Sequence, residues 1–229
     1  MPDPFSRDRF SALLEMGLTL LLVLGAALVA GLVMNVFHPE MKILTLLSIQ
    51  GGLVVVGAVA IMIWRGIKPR RIRLVLPRPV DLLRAGLALL VFMLVNLVFA
   101  TVVRLFQPEL IASHHEQLGT FGADLMGDVP LLTLAGMMLF VAFYEEVVAR
   151  GLLLSQAERL LPGVWLPVLL SSVLFGLGHF YQGWFGVAQT ALAGAVFAWL
   201  TIRWGTLWPA IIAHGLLNTG SLLALGVLD

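Results

Sequence analysis

The sequence contains no cysteine and few charged residues. Of its 229 residues, 12% are charged and 60% are hydrophobic. The absence of cysteine excludes disulfide bonds, thiolate nucleophiles and cysteine metal ligands. A soluble domain of this size needs more polar surface to cover its core, so the composition predicts an integral membrane protein.

Long apolar runs divide the chain into segments that match the thickness of a bilayer. A helix needs roughly 20 apolar residues to cross the hydrocarbon core, and only closed hydrogen-bonded structures are stable there. The alternating pattern of strands is absent. We therefore predict an all-α, polytopic transmembrane helix bundle with about seven spans, within a range of six to eight: 11–37, 43–64, 85–106, 130–155, 164–182, 185–202 and 206–228. The connections are short except for 107–129.

Basic residues predict the orientation of these spans. Seven of the fourteen lysines and arginines lie between positions 65 and 84, and Arg7, Arg9, Arg159 and Arg203 fall on the same side of a seven-span bundle. The positive-inside rule makes that side cytoplasmic, so we expect the N-terminus inside and the C-terminus outside. The N-terminal segment is polar and lacks a signal-peptide cleavage pattern, so we expect the first span to be retained. The basic segment also suits a nucleic-acid or anionic-lipid patch, but the topology signal is the preferred interpretation.

Three ionisable residues lie inside the fourth predicted span, in the stretch 143-FYEEVVARGLL-153. Each costs at least ~2.5–3.5 kcal/mol at the centre of a membrane helix. Glu146 and Arg150 are four residues apart, so they can form an ion pair on one helix face. Glu145 is turned about 100° away and has no local partner. This glutamate therefore calls for a second explanation.

Further polar residues occur in the fifth and seventh spans. His179 alone is compatible with an interfacial histidine, and His214 with Asn218 is compatible with a hydrogen-bonded pair between helices. Together with Glu145 they form a set suited to hydrolysis. A buried glutamate can serve as a base, a histidine can orient water, and asparagine and histidine N–H groups can stabilise an oxyanion. No serine lies in a nucleophile-elbow pattern, so water is the expected nucleophile.

These residues resemble the CPBP family of intramembrane proteases, also called the CAAX-protease or bacteriocin-processing (Abi) family. Its motifs EExxxR, FxxxH and HxxxN occur here in order, as Glu145-Glu146-Val-Val-Ala-Arg150, Phe175-Gly-Leu-Gly-His179 and His214-Gly-Leu-Leu-Asn218. The resemblance covers about residues 129–229. It implies two regions, namely N-terminal scaffold helices at 1–128 and a catalytic core at 129–229.

The resemblance also implies roles for the matching residues. Glu145 and His179 would activate a water molecule, and His214 and Asn218 would stabilise the oxyanion. Glu146 and Arg150 would hold the motif helix, with Phe175 completing the second motif. The implied activity is metal-independent and cofactor-independent cleavage of a membrane-associated protein or peptide, as eukaryotic members cleave prenylated CAAX proteins. A short, cysteine-free chain of this kind suits the cytoplasmic membrane of a prokaryote.

Alternatives remain at this level. A zinc protease with a His/His/Glu ligand set is one, although HExxH is absent and Asn218 has no role in it. A non-catalytic membrane scaffold or bacteriocin-immunity protein on the same fold is another.

The seven-span topology also places Glu145 and His214 in the cytoplasmic half of the membrane and His179 near the outer end of its span.

Overall fold

The chain folds into helices throughout the part that can be described. A computed structural model describes residues 4–37, 43–126 and 129–228. These ranges contain no β-strand, and turns and short loops occupy few of their positions. The predicted all-α class is confirmed. Backbone hydrogen bonds closed within each helix are what a chain this apolar needs in a bilayer.

The α-helices in the described ranges follow one another with short connections, except between the second and the third. They are α1 Pro4–Phe37, α2 Ile43–Arg65, α3 Val80–Phe106, α4 Pro108–Met126, α5 Leu131–Glu146, α6 Leu154–Leu160, α7 Trp165–Leu177, α8 Gly183–Trp204 and α9 Trp208–Leu228. A π-helical segment, Val147–Leu153, joins α5 to α6 without interruption, and 3₁₀ turns occur at Pro69–Ile72 and Phe180–Gln182.

The chain is an integral membrane protein. Within the described residues, five helical stretches are long and apolar enough to cross a membrane: Asp8–Val33, Ile43–Arg65, Val80–Phe106, Leu131–Leu160 and Phe180–Trp204. Helix α7 is apolar but shorter, with 13 residues. A helix occupies each of the seven predicted spans. How many of them cross the bilayer completely stays a prediction.

The predicted long connection at 107–129 is wrong for most of its length, because α4 occupies it. The segment has no continuous apolar run, because Glu109, Glu116 and two histidines interrupt it. Its less exposed residues recur at helical spacing, at Leu110, His114 and Leu118. This one face packs against α3, α8 and α9. Helix α4 is therefore amphipathic and covers one side of the bundle.

Small residues allow α7 and α8 to approach closely. A β-carbon at Gly176 would lie 2.6 Å from the carbonyl oxygen of Val187, and one at Gly194 would lie 3.0 Å from the β-carbon of Ser172. Each of the two helices thus contributes a glycine at which a larger side chain would collide with the other helix. This contact fixes the end of α7, and with it the turn that carries His179, against the bundle.

Ion pairs gather basic residues at one end of the bundle. They join α1, α2, α6 and the segment after α2: Arg65 Nε with Glu15 at 3.2 Å, Arg159 with Asp8 at 2.6 Å, and Arg73 with Glu158 at 2.7 Å. The backbone N–H of Leu207, just before α9, donates to the carbonyl of Arg73 at 3.1 Å. The basic segments therefore lie together, as the orientation argument requires. The cytoplasmic assignment of this end stays a prediction.

Candidate active site

Glu146 and Arg150 form a fully buried ion pair. Nη1 of Arg150 donates to Oε1 of Glu146 at 2.8 Å, and the side chains are 1% and 0% exposed for arginine and glutamate respectively. The guanidinium also lies over the ring of Phe175, 4.1 Å from its centroid. The predicted pair is confirmed, and the aromatic residue of the second motif covers it.

The helix changes its winding directly after the two glutamates. Residues Val147–Leu153 are π-helical and entirely buried, and they carry Arg150. Short π-helical segments inside α-helices occur frequently at functional sites. This segment was not predicted, because hydrophobic periodicity does not distinguish a π-helical turn from an α-helical one.

Glu145 faces two histidines. Its Oε2 lies 3.5 Å from Nε2 of His214 and 4.0 Å from Nε2 of His179. The three side chains come from α5, from α9 and from the turn after α7. The side chain of Glu145 is 22% exposed, in contrast to fully buried Glu146. The glutamate without a local partner thus has two partners from elsewhere in the chain.

The expected separation of His179 from Glu145 is wrong. The sequence placed His179 at the outer end of a full-length span, whereas α7 ends at Leu177 after 13 residues. A helix of this length rises about 20 Å, less than the ~30 Å of a hydrocarbon core. The chain therefore turns early and leaves His179 level with Glu145. In the turn, Nδ1 of His179 is 2.9 Å from the carbonyl oxygen of Phe175.

Hydrogen bonds define the tautomers of both histidines. A carbonyl or carboxylate oxygen only accepts, so a ring nitrogen bonded to one must carry the proton. Nδ1 of His179 donates to the Phe175 carbonyl, and Nδ1 of His214 donates to Oε1 of Glu146 at 2.8 Å. In its neutral form, each ring therefore presents the lone pair of Nε2 toward Glu145.

The contact between Glu146 and His214 was not found by sequence reasoning. Glu146 was assigned only to the pair with Arg150, but the same oxygen accepts from both Arg150 and His214. These residues are 68 positions apart and lie on different helices. No local spacing relates them, so the motifs alone offered no signal for this bond.

A single cavity of about 650 Å³ contains all four residues that the sequence singled out for catalysis: Glu145, His179, His214 and Asn218. Its other walls are mostly apolar and come from α3, α5, α8 and α9, with Leu118 of α4 at one side. Tyr181 and Gln182 also line it, and the Tyr181 ring centroid is 6.0 Å from that of His179. The sequence pattern did not select these two residues.

No metal centre emerges from the described part of the chain. Over residues 4–37, 43–126 and 129–228, no group of three or more His, Cys, Asp or Glu side chains has an arrangement that could hold a metal ion. The cavity is lined by the carboxylate of Glu145, the imidazoles of His179 and His214, and several amides, among them that of Asn218.

The second half of the chain matches the model of a known protein family. The family model described as "Type II CAAX prenyl endopeptidase Rce1-like" matches residues 127–220. The comparison with curated proteins and that with solved structures gave no match. The matched segment includes all three motifs, so the resemblance drawn from them is confirmed. Residues 127–220 are thus similar to the Rce1-like type II CAAX prenyl endopeptidases.

Proposed function

We propose that the protein is an intramembrane endopeptidase in which Glu145 and His179 activate a water molecule to cleave a peptide bond. The observation that carries this proposal is the convergence of Glu145 with Nε2 of His179 and Nε2 of His214, at 4.0 and 3.5 Å, inside an apolar cavity. The family match supports the kind of reaction.

Water activation follows from the hydrogen-bonding capacity of the three groups. Nε2 of each neutral histidine and the ionised carboxylate of Glu145 are all acceptors, so a donor has to lie among them. Separations of 3.5–4.0 Å exceed those of good direct hydrogen bonds, so we propose that a water within reach of these groups supplies the donor. A water there donates one proton toward Glu145 and a second toward an imidazole. Glu145 takes a proton as the water oxygen attacks the carbonyl carbon.

Asn218 and His214 would stabilise the negative charge that develops on the carbonyl oxygen. The Asn218 amide is a donor in every protonation state, and it lines the same cavity. His214 donates through Nε2 only as an imidazolium. In that form Glu146 would accept from Nδ1 and the oxyanion from Nε2.

Collapse of the tetrahedral intermediate completes the reaction. The protonated Glu145 returns its proton to the leaving nitrogen, the carbon–nitrogen bond breaks, and the products are a carboxylic acid and an amine. One water is consumed for each bond. Neither a covalent enzyme intermediate nor a metal or other cofactor is required by this scheme.

The proposed substrate is a membrane-associated protein or peptide, with a prenylated CAAX-like C-terminus as the first candidate. The mostly apolar cavity, open to its surroundings, suits a peptide that arrives from the bilayer. We further propose that residues 1–128 form a scaffold around the core at 129–229, and that the N-terminus faces the cytoplasm of a prokaryotic cell.

The test uses the purified full chain in detergent and a quenched fluorogenic peptide, with and without a prenylated C-terminal cysteine. Wild-type protein should cleave the peptide in ¹⁸O-labelled water, with label in the new carboxyl group. Glu145→Gln and His179→Gln should each lower turnover by about 10²–10⁴-fold, the range for a lost acid–base group. Glu158→Gln is the matched control, since Glu158 pairs with Arg73 away from the cavity.

Equal turnover by Glu145→Gln and wild type would refute the proposal. If no peptide is cleaved while the Glu145→Gln variant retains the cellular phenotype of the wild type, the protein acts as a non-catalytic scaffold or immunity protein instead.

A further inference from the structure

A second cavity, of about 510 Å³, lies between α2 and α5 on the side of α5 opposite the active site. We call it the α2–α5 slot. Val54, Ala58 and Met62 of α2 form one wall, and Phe143 and Val147 form the other. Among the described residues that line the slot, Lys68 is the only charged one. The slot is therefore an apolar recess with a cation at one end.

The length of the slot matches one leaflet of a bilayer. Its lining on α2 runs from Val54 to Ile63, which corresponds to about 14 Å of helix rise. Half of a hydrocarbon core is about 15 Å thick. The slot ends at Gly66–Pro69, where the basic segment begins. An acyl chain lying in the slot would therefore bring its headgroup to these residues.

Several cations of the basic segment form no ion pair with a carboxylate in the described part of the chain, among them Lys68 and Arg70. Arg65, Arg73 and Arg159 are each paired with an acidic side chain. Lys68 and Arg70 are exposed, and neither makes an ion pair within the described part of the chain. Positive charge that folding has not neutralised is thus concentrated at the mouth of an apolar recess.

Backbone hydrogen bonds order the turn that carries Lys68 and Arg70. Ile67 N–H donates to the Met62 carbonyl at 2.8 Å, Arg71 N–H to that of Lys68 at 2.8 Å, and Leu74 N–H to that of Pro69 at 3.0 Å. Ile72, two residues after Arg70, is completely buried in the core. The backbone at the mouth of the slot therefore forms an ordered turn, from which the exposed side chains of Lys68 and Arg70 extend.

We propose that the α2–α5 slot binds an anionic phospholipid, with one acyl chain between α2 and α5 and the phosphate at Lys68 and Arg70. The positive charge of Lys68 and Arg70 favours an anionic headgroup. The apolar lining of the slot favours a lipid with an acyl chain over a free anion. Phe143 and Val147 flank the two motif glutamates, so a bound chain would support the back of the helix that carries the active site. Binding does not depend on the proposed hydrolysis and is measured without substrate.

The experiment uses the full chain, delipidated in a neutral detergent. Phosphatidylglycerol and phosphatidylcholine with identical acyl chains are titrated separately, and bound lipid is counted by native mass spectrometry alongside the melting temperature. Phosphatidylglycerol should bind saturably, at one molecule per chain, and raise the melting temperature. Lys68→Gln and Arg70→Gln should each weaken its binding about fivefold, and the double variant about 25-fold, from the usual contribution of a basic residue at an anionic surface.

Two controls separate this site from general surface charge and from simple anion binding. Arg203→Gln removes an exposed cation at the end of α8, which does not line the slot, and should leave binding unchanged. Val55→Trp fills the slot and should weaken phosphatidylglycerol binding without altering the response to inorganic phosphate.

Three outcomes would overturn the proposal: equal binding of the two lipids, equal weakening by Arg203→Gln, or equal protection by inorganic phosphate. The Lys68 and Arg70 variants change exposed side chains only, so their folding is not in question.

Discussion

Replacing Glu146 with glutamine removes the one negative charge that Arg150 and His214 share. Oε1 of Glu146 accepts from both residues at 2.8 Å, and neither Glu146 nor Arg150 reaches solvent. Breaking a buried ion pair by removing one partner costs about 3–5 kcal/mol, since the other charge stays buried without compensation. For a chain of this size, each kcal/mol lowers the melting temperature by about 2–4 °C. We therefore expect Glu146→Gln to melt roughly 6–20 °C below the wild type.

A double variant separates the structural part of this effect from the catalytic part. Glu146→Gln combined with Arg150→Met removes both buried charges, and such replacements are often neutral or stabilising. The double variant should recover most of the lost melting temperature. Its turnover should stay about 10²-fold or more below wild type, because the imidazolium form of His214 still lacks its carboxylate.

The assay is thermal unfolding in detergent, together with peptide hydrolysis at a temperature where all variants are folded. Wild-type stability in Glu146→Gln would refute the account of the buried pair. Wild-type turnover in the double variant would refute the role given to Glu146 at His214.

Three further predictions concern the active site and α4. Asn218→Ala should lower turnover about 10²–10³-fold with little change in melting temperature, measured on the same peptide, because an oxyanion donor acts on the transition state; unchanged turnover would remove Asn218 from the mechanism. A strong zinc chelator should leave turnover unchanged, whereas loss that added zinc reverses would favour the zinc-protease alternative. Burial lowers the pKa of His114, against the opposing effect of its hydrogen bond to the Gln182 carbonyl. Its stabilising contribution is then complete above the ordinary histidine pKa of 6.5 and is lost as the pH falls through the lowered folded-state pKa. His114→Asn keeps a donor without titrating, so its melting temperature should depend less on pH than that of the wild type; equal pH profiles would contradict this.

Local patterns in the sequence were enough to predict the helices and one contact of the site. Apolar runs of bilayer length placed a helix in every predicted span, because length and hydropathy are local properties. The pair of Glu146 with Arg150 followed from four-residue spacing, which survives in the π-helical segment. Helix α4 was not predicted, because it is amphipathic and has no continuous apolar run. Its buried face is defined by its packing against α3, α8 and α9.

The remaining geometry depends on where helices end and on how they pack. His179 reaches Glu145 because α7 stops after 13 residues and Gly176 lets α8 approach it. The sequence stays largely apolar beyond Leu177, so the predicted span 164–182 was too long. The bond from His214 to Glu146 joins two helices, and no spacing along the chain encodes it.

Whether Glu145 and His179 act on one water molecule is tested by measuring the turnover of three variants. These are Glu145→Gln, His179→Gln and the variant that carries both changes. Residues that act as a unit have strongly non-additive effects. The double variant should therefore hydrolyse the peptide no more slowly than the slower single variant. Losses that multiply in the double variant, or a Glu145→Gln protein as fast as the wild type, would contradict it.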